Sequence, residues 1–451
     1  MSSEAPPQAP SPEPSVQALV VPEANQPTLY VEESRALPLV SIAIAIRFGS
    51  ASDPPGQEGL TRIVARMLRR GCRGMTSQQI EERIDLMGAE LGADVAPSVV
   101  TLHADVISRS LDDLVELLGT LLAEPTFDEV ELGRLLRETQ GELVEARDND
   151  RLLVARHFRR VLFDGHPYAR PVSGHISTVQ KLTRDDVAAH YRRHFVRGNV
   201  AIALSGDVTP ERARTLAERL VSGLPEGPRE TDATPSPTPP EGRHLVFVDK
   251  PERTQAQILI GGIGSHPRDA DHVALHTATT IFGGTFTSRL MREIRSKRGW
   301  SYGAYARLAY DRRPDAFSVW TFPASKDAAA CIQLELELLD AWREKGVVAR
   351  ELGFTKRYLV RSHAFDVDTP TKRVHQKLDV DLFDLPPDHH SHYVEHVRAV
   401  TLDAANRAVA RHITSADIVI AVVATHREIG EAVAAAIPGL RGATVVPYDA
   451  D

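Results

Sequence analysis

One short segment of the chain has the residue types and spacing of a zinc-dependent hydrolase. His392, Glu395 and His396 form an H-x-x-E-H pattern that directly follows the stretch LPPDHHS. Two histidines four residues apart on a helix project from one face and bind zinc, while the glutamate activates a metal-bound water. The pattern therefore supports one hypothesis, an autonomous metallopeptidase that uses these three side chains.

The surroundings of this segment favour a different interpretation. Its flanks are polar and Pro-rich, which is typical of a solvated helix start, whereas a catalytic metal site needs closed walls and oriented supporting partners. Adventitious metal binding by His392 and His396 is the more ordinary reading of the pattern. Three further histidines, His166, His190 and His194, lack a nearby cluster of glutamate or cysteine and are expected to serve in packing.

The composition of the chain limits the other classes of function. Its 451 residues have a formal net charge of −8, with 42% hydrophobic and 25% charged residues, which is typical of a soluble globular protein. The acidic balance argues against nucleic-acid binding, because neutralising phosphates requires a basic surface. Two cysteines, Cys72 and Cys331, are too few for a disulfide framework or a cysteine-based zinc site.

The N-terminal sequence predicts neither a targeting signal nor a membrane span. Residues 1–26 are rich in Pro, Ser, Ala and Glu, and we expect a disordered lead-in because they offer too little apolar surface to offset ordering entropy. They have no basic n-region and no apolar h-region, which a signal peptide requires. We therefore expect a cytoplasmic protein, with a periplasmic location left open should the true start site lie elsewhere.

Hydrophobic periodicity predicts an α+β unit in the first half of the chain. Residues 39–48 alternate strictly, with even positions from Val40 to Phe48 on one face and odd positions from Ser41 to Arg47 on the other, which predicts a half-buried strand. The predicted elements that follow are a helix ending at Gly71, a helix begun by Thr76 or Ser77, a strand pair within 89–106, and long helices at 111–124 and 128–148.

A Pro-rich segment at 221–242 divides the chain nearly in half. It lacks periodicity and predicts a linker between two domains, 27–220 and 243–451. The two halves share a pattern, because each begins with a strand, turn and helix and ends with a capped helix that leads into a buried strand. A duplicated α+β domain explains this pattern more simply than two unrelated domains.

Four sequence blocks, taken in order, resemble the M16 family of zinc peptidases, the insulinase or processing-peptidase family, in its two-domain bacterial form. The blocks are GSASDPPGQEGLTRIVARMLRRGC, LFDGHPYARPVSG, HYRRHFVRGNVAIALSGDV and FGGTFTSRLMREIRSKRGWSYGAYA. The resemblance covers about residues 36–440. It implies two similar α/β domains, each an antiparallel-rich sheet covered by helices, related by internal duplication.

The resemblance places the family's H-x-x-E-H motif on the first helix, where this chain has Arg62, Ala65 and Arg66 instead. A guanidinium keeps its proton and has no lone pair to offer, so neither arginine replaces a histidine ligand. Glu142 corresponds to the family's third ligand, and one carboxylate cannot hold zinc. The resemblance thus implies a degenerate site without metal, in which Glu142 either pairs with Arg62 or Arg66 or is an ordinary solvated helix residue.

The second half resembles the partner subunits of bacterial two-subunit members, which supply an arginine and a tyrosine to the active site of the H-x-x-E-H subunit. The matching residues are Arg298 and Tyr302. Four residues apart on a helix they would share a face, where the guanidinium would hold a peptide carbonyl and the phenol would stabilise the oxyanion. A salt-bridged surface is the ordinary alternative.

The resemblance also implies a peptide-binding edge strand and a function. An extended substrate would pair with a strand that maps to Ala89, Leu91, Ala93 and Val95. The implied function is a non-catalytic subunit of a heteromeric M16 metallopeptidase, inactive alone, with zinc held only by an H-x-x-E-H partner. A structural M16-like core protein with no proteolytic role is the alternative.

Overall fold

The computed structural model describes residues 17–18 and 25–450. The strands are β1 (Gln17–Ala18), β2 (Thr28–Glu33), β3 (Leu39–Ile46), β4 (Gly71–Cys72), β5 (Met75–Thr76), β6 (Glu90–Val95), β7 (Val100–Ile107), β8 (Val200–Gly206), β9 (Arg243–Asp249), β10 (Gln257–Ile263), β11 (Ala304–Tyr310), β12 (Pro314–Thr321), β13 (Ile418–Ala424) and β14 (Leu440–Pro447). The helices are α1 (Leu60–Met67), α2 (Ser77–Met87), α3 (Leu111–Ala123), α4 (Glu129–Glu145), α5 (Asp150–Leu162), α6 (Ile176–Val179), α7 (Arg184–His194), α8 (Pro210–Val221), α9 (His272–Thr279), α10 (Ala328–Lys345), α11 (Ala349–Ser362), α12 (Pro370–Leu382), α13 (Tyr393–Ala399), α14 (Leu402–His412) and α15 (His426–Ala435). Two π-helical turns, Thr280–Gly284 and Met291–Ser296, lie between α9 and β11.

Two sheets of six strands with matching topology form the centre of the two halves. Their orders are β1-β2-β8-β3-β7-β6 and β14-β9-β13-β10-β12-β11. Each contains a parallel pair at the same position, β2 with β8 and β9 with β13, and is antiparallel from there to β6 or β11. The sheets differ at the opposite edge, where β1 is antiparallel to β2 but β14 is parallel to β9. The internal duplication and the α+β class predicted from the sequence are therefore confirmed.

Several local predictions for the first half are confirmed as well. Helix α2 begins after Thr76, whose side chain accepts a hydrogen bond from the Gln79 main chain in a capping box, and it ends at Gly88 in the left-handed region, with φ of 60°. The predicted strand pair is β6 and β7, and the two long helices are α3 and α4. Helix α1 ends at Met67, earlier than the predicted stop at Gly71.

The prediction that β3 is half-buried is wrong, because both of its faces are covered. Ala43 and Ala45 pack against Val374 and Leu378 of α12, a helix contributed by the second half of the chain. In return α5, from the first half, packs its apolar face against β9, β10 and β13. The small side chains at the odd positions of β3 therefore do not face solvent. Their size allows α12 to pack closely against the sheet.

A buried arginine joins the halves at the end of β3. Arg47 is 1% exposed, and its Nη2 forms an ion pair with Asp381 of α12 and donates to Thr28 Oγ1. Its Nη1 donates to the carbonyl of Val200. The odd face of β3 thus ends in a charge that is compensated from the other half, a role that strand alternation alone does not reveal.

Residues 225–240, between α8 and β9, contain no helix or strand and lie along both halves. Asp232 pairs with Arg313 of the second half at 3.2 Å, and the Pro235 carbonyl lies 2.9 Å from His166 Nε2 of the first. Of the predicted lead-in, 1–16 and 19–24 lie outside the described residues, and β1 pairs with β2. Among the helices of the described residues, none combines the length and hydrophobicity needed to cross a bilayer.

Candidate functional site

Helix α1 is held at its N-terminus by a buried carboxylate. Asp53 accepts hydrogen bonds from the main-chain nitrogens of Gly59 and Thr61, each at 2.8 Å. Burial raises the pKa of Asp53 to about 6, against the opposing effect of these hydrogen bonds. The apolar residues of α1 face the core, so Arg62 and Arg66, four residues apart, project together from the opposite side toward α4.

Both arginines bind Glu142 of α4. Arg66 forms a fork, with Nη2 2.8 Å from Oε1 and Nη1 3.0 Å from Oε2, and Arg62 Nη2 lies 2.9 Å from Oε2. Arg66 Nη1 also donates to Thr139 Oγ1 at 3.0 Å. Burial acts to raise the pKa of Glu142, but the two guanidinium groups outweigh it and hold the pKa below its usual value. The carboxylate is therefore charged and shared by both arginines, the arrangement we call the Glu142 clamp.

The Glu142 clamp does not fit a zinc ion. Both carboxylate oxygens accept from guanidinium groups, which have no lone pair for a metal, and the position of the family's general base is the buried Ala65. Within the described residues, no group of three or more His, Cys, Asp or Glu side chains is placed to hold a metal ion. No catalytic step can be assigned to zinc on α1 of this chain.

Two more arginines, which sequence reasoning missed, extend the same face beyond α1. Arg70 lies 3.2 Å from one carboxylate oxygen of Glu138 and also contacts the other. Arg69 pairs with Glu81 of α2 at 2.6 Å and donates to the main-chain oxygen of Leu91. The signal was present in the sequence, since positions 62, 66, 69 and 70 follow helical spacing and their acidic partners lie on neighbouring predicted helices.

The predicted peptide-binding strand is the free edge of the first sheet. Among the strands of the described residues β6 pairs only with β7, and it borders a cavity of about 450 Å³ whose lining includes Arg66, Arg69 and Glu81. The side chains predicted there, Ala89, Leu91, Ala93 and Val95, are partly buried against the first core. The Leu91 carbonyl already accepts a hydrogen bond from Arg69, so this main-chain acceptor of the edge strand is not free to pair with an added strand.

Arg298 and Tyr302 do not share a helical face. The π-helical turn ends at Ser296 and the following residues are not helical, so the expectation drawn from a four-residue helical spacing is wrong in its geometry. Arg298 Nη1 donates to the Glu293 main-chain oxygen at 2.9 Å and lies 3.2 Å from its carboxylate. The Arg298 guanidinium also lies 5.4 Å from the ring centre of Trp300.

Tyr302 belongs to an exposed stack that sequence reasoning missed. Its side chain is 74% exposed, and the guanidinium of Arg295 lies 4.4 Å from its ring centre. The same guanidinium lies 4.4 Å from the ring of Phe286, which is also exposed. Arginine between two aromatic rings gains cation–π attraction, which fixes the direction of the Tyr302 ring.

The literal H-x-x-E-H segment forms no metal site. His392 precedes α13 without a capping hydrogen bond from its side chain, its ring centre lies 6.2 Å from that of His396, and Glu395 is exposed to solvent. His396 Nε2 lies 3.4 Å from a carboxylate oxygen of Asp388. The three packing histidines behave as expected: His166, His190 and His194 are buried among aromatic and polar neighbours.

Two family models match this fold and sequence. Residues 29–175 match the model described as insulinase (peptidase family M16), and residues 181–359 match the model described as peptidase M16 inactive domain. Together they cover more than two thirds of the chain. The chain therefore belongs to peptidase family M16.

Individual relatives agree with this assignment. The chain is 26% identical over 275 residues to an uncharacterized zinc protease of Rickettsia bellii, which covers 60% of this chain and 66% of that protein, just under two thirds of its length. It is 21% identical over 408 residues to the non-peptidase homolog YmxG of Helicobacter pylori, covering 90% of this chain and 93% of that protein. A solved peptidase M16 inactive domain from Pseudomonas fluorescens superposes with a TM-score of 0.84 at 22% identity, covering 91% and 97% of the two chains. At this level of identity, the similarity to the solved structure is evidence for the fold alone.

Proposed function

We propose that this chain is a non-catalytic subunit of a heteromeric M16 metallopeptidase. The Glu142 clamp carries the proposal, because two guanidinium groups, which cannot bind a metal, stand at the positions of the family's zinc-binding histidines and engage both oxygens of Glu142. Zinc and the H-x-x-E-H motif would belong to a catalytic partner subunit, and this chain would hold none. The name of the Helicobacter pylori relative, a non-peptidase homolog, supports the same reading.

In this proposal Arg298 and Tyr302 act in the partner's active site. Glu293 anchors Arg298 through Nη1 alone, which leaves the other guanidinium nitrogens for a peptide carbonyl. The Tyr302 phenol extends from the surface on the Arg295 stack and would donate a hydrogen bond to the oxyanion that forms during peptide hydrolysis. Neither residue needs to move a proton, so the chemistry remains with the partner.

Peptide substrates would extend along β6 in the chamber between the subunits. An added strand needs free main-chain groups at the sheet edge, and it would have to displace Arg69 from the Leu91 carbonyl. Arg69 would keep its ion pair with Glu81 after it leaves the Leu91 carbonyl.

The proposal is tested with the purified chain and an M16 protein of the same organism that carries an intact H-x-x-E-H motif. We expect the chain alone to be inactive and zinc-free, and the mixture to cleave peptides far faster than the partner alone. Tyr302→Phe should lower the turnover of the mixture by roughly 100-fold without dissociating the subunits. Arg298→Ala should lower it as well.

Tyr358→Phe is the matched control, because Tyr358 is an exposed tyrosine of α11 outside the proposed site. The mixture containing Tyr358→Phe should keep full activity. Equal activity of all three variants would refute the roles of Arg298 and Tyr302. Stable binding to a protein without peptidase activity, with no stimulation of the H-x-x-E-H partner, would instead favour the structural core protein.

A further inference from the structure

A cavity of about 410 Å³ lies where the two halves meet. Arg47 at the end of β3, Ser98 in the turn between β6 and β7, and Arg193 at the end of α7 line it from the first half. Arg312, between β11 and β12, lines it from the second half, and residues 230–235 close it. The Glu142 clamp and the pair Arg298 and Tyr302 are not part of this lining.

Positive charge in this cavity lacks a matching negative charge. Arg312 is 6% exposed, and its guanidinium donates to two main-chain oxygens, those of Leu382 at 2.6 Å and Arg47 at 3.3 Å. Within the described part of the chain, neither Arg312 nor Arg193 forms an ion pair with a carboxylate. A buried cation held only by carbonyl oxygens is costly unless an anion approaches it.

The carboxylates around the cavity are already engaged. The pairs are Asp381 with both Arg47 and Arg229, Asp232 with Arg313, and Glu230 with His194. The surplus of positive charge acts on Arg47: burial lowers its pKa, Asp381 opposes this effect, and Arg229 and Arg312 lower the pKa further. Two guanidinium groups thus share the Asp381 carboxylate, and the charge of Arg312 acts on one of them, Arg47.

We propose that the interdomain cavity binds a small oxyanion, a molecule with phosphate or carboxylate groups, between Arg312 and Arg193. The planar guanidinium fork suits the paired oxygens of these groups, and the volume falls within the range of small-ligand pockets, roughly 300–1,000 Å³. The walls of the cavity come from both halves and from residues 230–235, so a bound anion would stabilise the contact between the halves. The site is independent of the proposed peptidase role.

Isothermal titration of the full chain tests the site, with inorganic phosphate in one arm and citrate in the other. Sodium chloride keeps the ionic strength constant, so that general screening does not imitate binding. We expect saturable binding in at least one arm. Arg312→Gln should raise the Kd by about 10- to 100-fold, because a charged hydrogen bond is lost. Arg193→Gln should raise it by a smaller factor.

Arg192→Gln is the matched control, since Arg192 is an exposed neighbour that donates to the Ala188 carbonyl and does not line the cavity. Its Kd should equal that of the unmodified chain. If Arg312→Gln fails to fold, as judged by circular dichroism, the exposed Arg193→Gln decides the question. The absence of saturable heat with both anions, or an unchanged Kd in the folded variants, would overturn the proposal.

Discussion

The two halves share one topology but pair their helices with different chemistry. In the first half, α1 and α4 are joined by the partly exposed Glu142 clamp. In the second half, the first helix after the second strand is α9, whose buried His272 lies beside His389 and whose half-buried His276 contacts Tyr393. Charged pairs near solvent hold one helix pair, and neutral imidazoles hold the other.

The two helix pairs also differ in how pH affects their charges. The Arg–Glu pairs of the first half keep their charges at any ordinary pH, because both the guanidinium and a carboxylate with lowered pKa are ionised. The imidazoles of His272 and His276 are neutral because burial lowers the pKa of each. The Glu142 clamp is thus expected to respond to the removal of a charged group, and the helix pair of the second half to protonation of His272 and His276.

Restoring the family motif would give the largest change. In the triple variant Arg62→His, Ala65→Glu, Arg66→His, two imidazoles would face Glu142, which already lies opposite both positions. We expect bound zinc to rise from none to about one ion per chain, because three ligands then face one point. Elemental analysis after dialysis measures this. Adding Glu142→Gln should weaken zinc retention, and a zinc-free triple variant would show that α1 and α4 are not positioned as in a metal site.

Breaking the ion pair that joins the halves should cause the next largest effect. Asp381→Asn leaves Arg47, which is almost fully buried, without its carboxylate. We expect a loss of about 3–5 kcal/mol in the free energy of unfolding, measured by urea denaturation. Asp403→Asn is the control, since Asp403 forms a fully solvated pair with Arg407. Equal stability of the two variants would mean that the halves are held together without this pair.

The sequence predicted what depends on neighbours along the chain. The capping box at Thr76 and the pairing of β6 with β7 both follow from local patterns. The burial of Ala43 could not be predicted in this way, because the helix that covers it lies in the other half. The ion pair between Arg47 and Asp381 could not be predicted either, because Asp381 also lies in the other half.

The candidate site shows the same limit. The family resemblance identified Arg298 and Tyr302. The helical segment before them ends in a π-helical turn, which hydrophobic periodicity does not predict. The stack of Arg295 between two rings depends on tertiary packing. The sharing of Glu142 by two arginines was left open, because helical spacing places both within reach of α4.

Acid should destabilise the protein through the buried imidazoles. Burial lowers the pKa of His272 to about 3, with smaller contributions from His276 and His389. Folded stability is therefore complete above pH 6.5 and falls as the pH drops toward 3, because the unfolded chain takes up a proton that the folded chain refuses. His272→Gln should flatten the decline by about 1.4 kcal/mol per pH unit between pH 6.5 and 5, measured by urea denaturation. His103→Gln, at a half-exposed histidine, should leave the slope unchanged; parallel profiles for His272→Gln and the unmodified chain would contradict this assignment.

The smallest effect is expected from loosening the Glu142 clamp itself. Glu142 is 42% exposed and its arginine partners are 30% and 24% exposed, so water screens their attraction. Glu142→Gln should therefore cost less than about 1 kcal/mol in the free energy of unfolding, and less still at high salt. Glu351 on α11 is the matched position in the second half: it pairs with Arg289 at lower exposure and also accepts from the Val348 main chain at 3.0 Å. Glu351→Gln should cost more than Glu142→Gln, and the opposite order would mean that the clamp, despite its exposure, is a main support of the first half.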